Sequence, residues 1–151
     1  MKTPFDLNEK LTEHFTLREM IQSGTAIRLG IVNTPTEQDI VRLKALCVNV
    51  LEPMRRRFGV IHVTSGYRCE ALNKAVGGVK NSQHMKGEAA DLHCSSVHQA
   101  EKMACYASEK LVFDQLLIER VLANQCCWIH VSYVIETEYR KNRKVMSVLT
   151  K

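Results

Sequence analysis

No stretch of the sequence carries the roughly 18 consecutive apolar residues that a membrane-spanning helix needs, so no segment reads as a transmembrane span. The opening residues, Met1-Lys2-Thr3-Pro4-Phe5-Asp6, hold one lysine with no apolar region behind it. They do not read as a secretory signal, and the expectation is a chain that is cytoplasmic as synthesised. Internal repeats and low-complexity tracts are absent, which leaves out solenoid architectures and biased linkers. The cysteines, at positions 47, 69, 94, 105, 126 and 127, include no CxxC pair and no spacing of a small disulfide-stapled scaffold. They read as reduced thiols, and a second metal site at the adjacent Cys126 and Cys127 is not expected.

What is present is ordinary for a globular chain. A length of 151 residues predicts one domain, long enough to bury a core without metal or disulfide staples. Its expected extent is 1–151, with the core at about 10–134 and a basic tail at 135–151. Hydrophobic residues at 45% and charged residues at 25% fit this class. The net charge of +5 suits an anionic partner such as a cell envelope or nucleic acid, and serves solubility equally well. A monomer is expected.

Helix signals come early. Thr16-Leu17-Arg18-Glu19 is a capping box that predicts a short helix through Met20 and Ile21. Gly24 and Gly30 punctuate a loop or second short turn. Thr34-Pro35-Thr36-Glu37 predicts a second start, with Thr34 as cap and Pro35 at the first helical position. Ile40, Leu43, Leu46, Cys47, Val50 and Met54 then recur at helical spacing. Pro53 should kink this helix or disturb its last turns. Arg55-Arg56-Arg57 suits the helix C-terminus and Gly59 its cap. That structural reason for the basic run is why no specific nucleic-acid partner is expected.

Val60 to Thr64 predicts a short strand, 70–76 a helical turn, and 77–82 a loop. Ala89 to Cys94 predicts a second strand. Val97 to Leu111 predicts a helix with Ala100, Met103, Ala104 and Ala107 inward. Asp114 to Glu119 and Trp128 to Val134 predict two more strands, joined through Asn124. The stretch 139–144 is basic and expected to be solvated, with Val145 to Leu149 an edge strand. The fold class that follows is α+β, with helices packed on a small, mainly antiparallel sheet.

One stretch organises the chemistry. In Ser82-Gln83-His84-Met85-Lys86-Gly87-Glu88-Ala89-Ala90-Asp91, a histidine on a loop precedes an aspartate on a strand. Gly87 between them lets the backbone turn back at little steric cost. His130 lies on another predicted strand, and neighbouring strands sit only about 5 Å apart. His84, Asp91 and His130 can therefore converge as a borderline N/O set that suits zinc. The other reading of the same residues is a surface histidine and a capping or salt-bridged aspartate that never meet. His93 points to the same strand face as Asp91 and reads as a satisfied core or rim histidine, with support of the metal ligands as the other reading. His14, His62 and His98 have no partner visible in the sequence.

The pattern Ser82-x-His84-x-x-Gly87-x-Ala89-x-Asp91, followed by Trp128-x-His130, resembles peptidase family M15, the zinc D-alanyl-D-alanine carboxypeptidases and phage L-alanyl-D-glutamate endopeptidases. Ser65-Gly66-Tyr67-Arg68, Leu72-Asn73 and Gly77-Gly78 extend the resemblance, which covers about 10–134 and looks closest to the small single-domain branch. It implies the fold shared with the Hedgehog signalling domain, and His84, Asp91 and His130 as zinc ligands. Many members carry an acid three residues before the last histidine, where this chain has Cys127. Glu119 is the substitute, since a hairpin would return it beside the strand of His130, much as Hedgehog-type domains place their acid. Asp114, at the start of that strand, is a weaker candidate. Arg68 matches an arginine that in the family faces the active site, where it can hold a carboxylate or an oxyanion. Ser82 is expected to organise the loop or bond substrate, and Tyr67 and Trp128 to line the cleft or pack in the core.

The resemblance implies a zinc metallopeptidase that cleaves an amide bond in peptidoglycan stem peptides, as a carboxypeptidase or an endopeptidase. With no export signal expected, two routes to the cell wall stay open: that of a phage or prophage lysis protein released when the membrane is opened, and export of a carboxypeptidase by another route. The alternative is a non-catalytic zinc-binding module of the same fold that serves recognition or phage structure.

Overall fold

Two capping boxes set the helical half of the chain, although the second begins later than expected. The structure, a computed structural model, describes residues 4–136 and 138 and the backbone of 143–150. A two-stranded ribbon, β1 (Lys10–Thr12) and β2 (Phe15–Thr16), leads into α1 (Leu17–Ile21). Thr16 Oγ1 accepts the Glu19 N–H at 3.3 Å and Glu19 Oε1 accepts the Thr16 N–H at 3.3 Å, as the sequence predicts. Helix α2 (Gly24–Leu29) follows, capped by Ser23.

Helix α3 (Glu37–Leu46) is capped by Thr36 and not by Thr34. Each threonine has an acid three residues on. The later start also lets Asp39 hold Arg42 at 3.1 Å, and Arg42 in turn reaches the Lys86 carbonyl at 3.1 Å. Those tertiary contacts explain the shift. The disturbance expected at Pro53 is a π-helical turn, Cys47–Leu51, followed by α4 (Glu52–Phe58). Proline has no N–H to donate and its ring clashes one turn back. Widening the preceding turn, where the Glu52 N–H bonds the Cys47 carbonyl, puts Pro53 in the first turn of a new helix. Leu43, Leu46, Cys47, Val50, Leu51 and Met54 are fully buried or nearly so. Truncating any one of these leucines would cost about 2–5 kcal/mol.

The main sheet contains β3 (Val63–Ser65), β4 (Ala89–Cys94), β5 (Gln115–Val121), β6 (Cys127–Ser132) and β7 (Arg143–Thr150), in the order β3-β4-β6-β5-β7. All pairs are antiparallel except β5 with β7. The architecture is the expected α+β. Strand β3 starts later than predicted, because Val60 stays 83% exposed and pairing begins only where Val63 meets Leu92. Edge strand β7 takes in the expected 145–149, while 139–142 of the basic stretch lie outside the described residues.

Between β3 and β4 run α5 (Glu70–Ala75) and a 3₁₀ turn, Gln83–Lys86. Helix α6 (Val97–Lys110) buries Ala100, Met103, Ala104 and Ala107, all four as predicted, and packs on the sheet. The sheet turns Ala90, Leu92, Cys94, Leu116, Ile118, Ile129 and Val131 into the core. Alternation along the strands sends Asp91, Leu117, Glu119, Trp128 and His130 to the opposite face. No helix among the described residues is long and apolar enough to cross a membrane.

Candidate metal centre

Register alone brings two of the three candidate ligands together. Asp91 and His130 are directly paired on β4 and β6, and His130 Nδ1 lies 3.0 Å from Asp91 Oδ1. The third comes from the 3₁₀ turn. Ser82 caps it, its Oγ accepting the His84 N–H at 3.2 Å. Gly87 ends it with φ 76°, and a Cβ there would come within 2.5 Å of the Asp39 carbonyl. Both the handedness of the turn and its closeness to α3 therefore require glycine.

His84 is buried and oriented. Its Nδ1 donates to the Gly66 carbonyl at 2.7 Å, which turns Nε2 toward Asp91 Oδ1, 3.5 Å away. Gly66 is wedged in place, since a Cβ on it would meet the Met20 carbonyl at 2.2 Å. The ligating atoms of His84, Asp91 and His130 all lie within 4.8 Å of one another, and no other such group occurs among the described residues.

Those distances fit zinc. Tetrahedral bonds of about 2.0–2.1 Å place neighbouring ligand atoms roughly 3.3 Å apart, and the observed 3.0 and 3.5 Å bracket that spacing. The charge of the carboxylate fits as well. Burial by itself would raise the Asp91 pKa, but hydrogen bonds from His130 and His84, with their charge, hold it well below the ordinary carboxylate range. Asp91 is therefore anionic when a cation arrives.

Arg68 is clamped beside this centre. Its Nε donates to Ser65 Oγ at 2.9 Å, Nη1 to Asn73 Oδ1 at 3.2 Å and Nη2 to Asp91 Oδ2 at 3.3 Å. Asn73 is itself fixed by the Val79 carbonyl at 2.9 Å. Burial lowers the Arg68 pKa, and the charges of Asp91 and Glu119 oppose the change. The guanidinium thus orients the aspartate.

Glu119 returns on the hairpin to sit opposite Trp128, one pair along from Leu117 and His130. Burial first, then the Asp91 charge, raises its pKa, against pulls from His130, Trp128 and His84. It lies within the electrostatic reach of the centre. The Trp128 indole helps to hold the Glu119 charge, yet its buried Nε1 falls short of hydrogen-bond geometry with any acceptor. We take the indole as a neighbour of the carboxylate and not a bonded partner. Cys127, an odd number of residues from His130, faces the core and is 3% exposed.

The other singled-out residues lie elsewhere. Tyr67 is buried in the core, where burial followed by the Asp39 and Cys69 charges pushes its pKa up to about 12. Asp114 is buried and accepts from Gln83 Nε2 at 3.1 Å, bracing the turn from behind. His93 is exposed, its ring 6.4 Å from that of His62, and His14 pairs with Glu52 at 2.7 Å. Sequence reasoning gave no role to Gly66, Asn73 or Gln83. Asn73 and Gly66 stood within the matched motifs, but a backbone carbonyl that orients an imidazole has no side-chain signature.

No curated protein matches the chain. A sequence model of the family described as Peptidase M15 matches residues 13–132. That span runs from the turn between β1 and β2 to the last residue of β6, taking in His84, Asp91 and His130 with every strand and turn that positions them, and so the chain belongs to the peptidase M15 family.

Proposed function

We propose that the protein is a zinc metallopeptidase, one domain over 1–151 and a monomer, that hydrolyses an amide bond in peptidoglycan stem peptides. The observation that carries this reading is the approach of His130 Nδ1 and His84 Nε2 to one oxygen of Asp91, at 3.0 and 3.5 Å. His84, Asp91 and His130 would hold the metal, with one side left for water and substrate. When bound, zinc supplies Lewis acidity toward a carbonyl and brings the acidity of a water molecule near neutrality.

The remaining steps belong to the chain. Glu119 takes a proton from the attacking water and returns it to the leaving nitrogen. Its raised pKa suits a group that must both accept and release a proton. Arg68 keeps Asp91 in place and presents positive charge to a substrate carboxylate or a developing oxyanion. Ser82 holds the turn of His84, and Trp128 walls the cleft beside Glu119. Tyr67 supports the Arg68 segment from the core. Peptidoglycan stems are rich in carboxylates, which agrees with Arg68 and with the net charge of +5. The proposed place of action is the cell wall.

A non-catalytic zinc module of the same fold is the second reading, favoured by the buried Cys127 where many relatives have an acid. Incubation with muropeptides, with and without a chelator, separates the two when products are read by mass. Chelator-sensitive loss of a terminal alanine indicates a carboxypeptidase, and chelator-sensitive cleavage within the stem an endopeptidase. No product in either condition refutes the hydrolase.

A further inference from the structure

A cavity of about 470 Å³ lies beside the metal centre, between α2, β3 and α5. Its volume falls within the usual range for ligand sites. It abuts the centre through Ser65, which pairs with Asp91, and through Arg68, which bonds it. Its lining contains two arginines, Arg28 and Arg68, and no acidic residue. Arg28 is exposed and makes no ion pair or hydrogen bond among the described residues.

The hydroxyls point to the same ligand charge. Ser23 Oγ already accepts the Ala26 N–H at 3.1 Å, and Ser65 Oγ accepts Arg68 Nε at 2.9 Å. A hydroxyl whose oxygen is engaged this way offers its proton to an acceptor. Arg68 likewise retains a second N–H on each of Nη1 and Nη2 beyond its bonds to Asn73 and Asp91. The cavity therefore presents hydroxyl donors, the free N–H groups of Arg68, whose charge Asp91 already pairs, and in Arg28 a positive charge with no anionic partner among the described residues.

We infer that this cavity is a carboxylate subsite, in which Arg28, with the Ser23 and Ser65 hydroxyls and Arg68, anchors a free carboxylate of the peptide substrate. The sheet order puts the cavity at the β3 edge and Glu119 on β5, with the ligands of β4 and β6 between. A peptide bound at the centre would have its carboxylate held on the β3 side of the ligands, with Glu119 on their other side. Arg28 is then a specificity residue that selects substrates by charge. The inference rests on the peptidase reading, and the experiment below keeps the two apart.

The probe is the acetylated stem peptide acetyl-L-Ala-γ-D-Glu-L-Lys-D-Ala-D-Ala, with two counterparts in which either the glutamyl α-carboxylate or the terminal carboxylate is an amide. Binding is followed by titration calorimetry on full-length, zinc-loaded protein carrying Glu119→Gln, with the peptide checked intact by mass. We expect one of the two amides to bind about tenfold more weakly than the parent, as for loss of a charge-assisted hydrogen bond. The amide that loses affinity identifies which carboxylate is held. Arg28→Ala should erase the difference, and Arg28→Lys should recover part of it. Equal affinity for all three peptides, no binding, or an unchanged preference in Arg28→Ala overturns the subsite. Turnover by the wild-type chain is scored separately. An Arg28-dependent preference without cleavage refutes the peptidase and leaves the subsite standing, while cleavage that ignores Arg28 does the reverse.

Discussion

Ala90, Leu92 and Cys94 of β4 and Ile129 and Val131 of β6 are buried in the core on which α6 packs, whereas Asp91, Trp128 and His130, their neighbours along the chain, occupy the other face. Each large apolar side chain on the first face contributes about 1.5–3 kcal/mol by leaving water. The second face gives up that gain to assemble two imidazoles, a carboxylate and a guanidinium. Stability and chemistry are thus one residue apart on the same strands, and substitutions at adjacent positions should fail in different ways.

The largest contrast is expected at the ligands. His130→Ala or His84→Ala should abolish bound zinc, measured by elemental analysis, and activity with it, while the circular dichroism spectrum stays native. Ile129→Ala, one residue away, should keep zinc in the folded fraction and lower unfolding free energy by about 2–5 kcal/mol in a denaturant titration. If Ile129→Ala loses metal as readily as His130→Ala, the two faces are not separable.

Glu119→Gln should retain zinc and lower turnover by about 10²–10⁴-fold, the usual contribution of a general acid–base group. It should not destabilise the fold. Because the folded-state pKa of Glu119 is raised above its ordinary 4.5, the folded chain binds this proton more tightly than the unfolded one. Its ionisation therefore costs stability as pH rises from 4.5 through the folded value, and above that window the glutamine variant should match or exceed the wild type in thermal unfolding. Full activity of Glu119→Gln would remove it as the base.

Smaller effects are expected from the groups that hold Arg68. Asn73→Ala should reduce activity about tenfold, with zinc retained, by freeing one of the three clamped guanidinium nitrogens. Normal activity would show that Ser65 and Asp91 suffice to position it.

On the helical side, Glu52 offers a control remote from both faces. Burial opposes its charge, but hydrogen bonds from His14 lower its pKa overall. A depressed carboxylate contributes stability above its unfolded value and loses it as pH falls through the folded one. His14→Ala should therefore weaken the fold slightly near neutrality and bring the acid unfolding midpoint to higher pH. An unchanged midpoint would discount the pair.

Much of this was legible in the sequence where periodicity was long or register decided the outcome. Helix α6 and strand β4 follow from their spacing, and once β4 and β6 pair, Asp91 and His130 must meet. The start of α3 was not legible, because Thr34 and Thr36 both precede an acid by three residues and Arg42 decides between them from a distance. Nor was the π turn before Pro53, which depends on how a whole helix face packs. Tyr67 stood within the matched motif, yet its neighbour Gly66 supplies the site with a carbonyl while Tyr67 turns to the core. Register slips of that kind, one residue in a short irregular segment, leave no trace in composition.

The claim that His84, Asp91 and His130 share one ion is tested most directly by anomalous diffraction from crystals of the full chain at the zinc edge. A single peak about 2.0–2.2 Å from His84 Nε2, an Asp91 oxygen and His130 Nδ1 is the predicted result. A zinc peak held by other residues, or a map in which these three side chains surround no scatterer while zinc is present in the crystal, would contradict it.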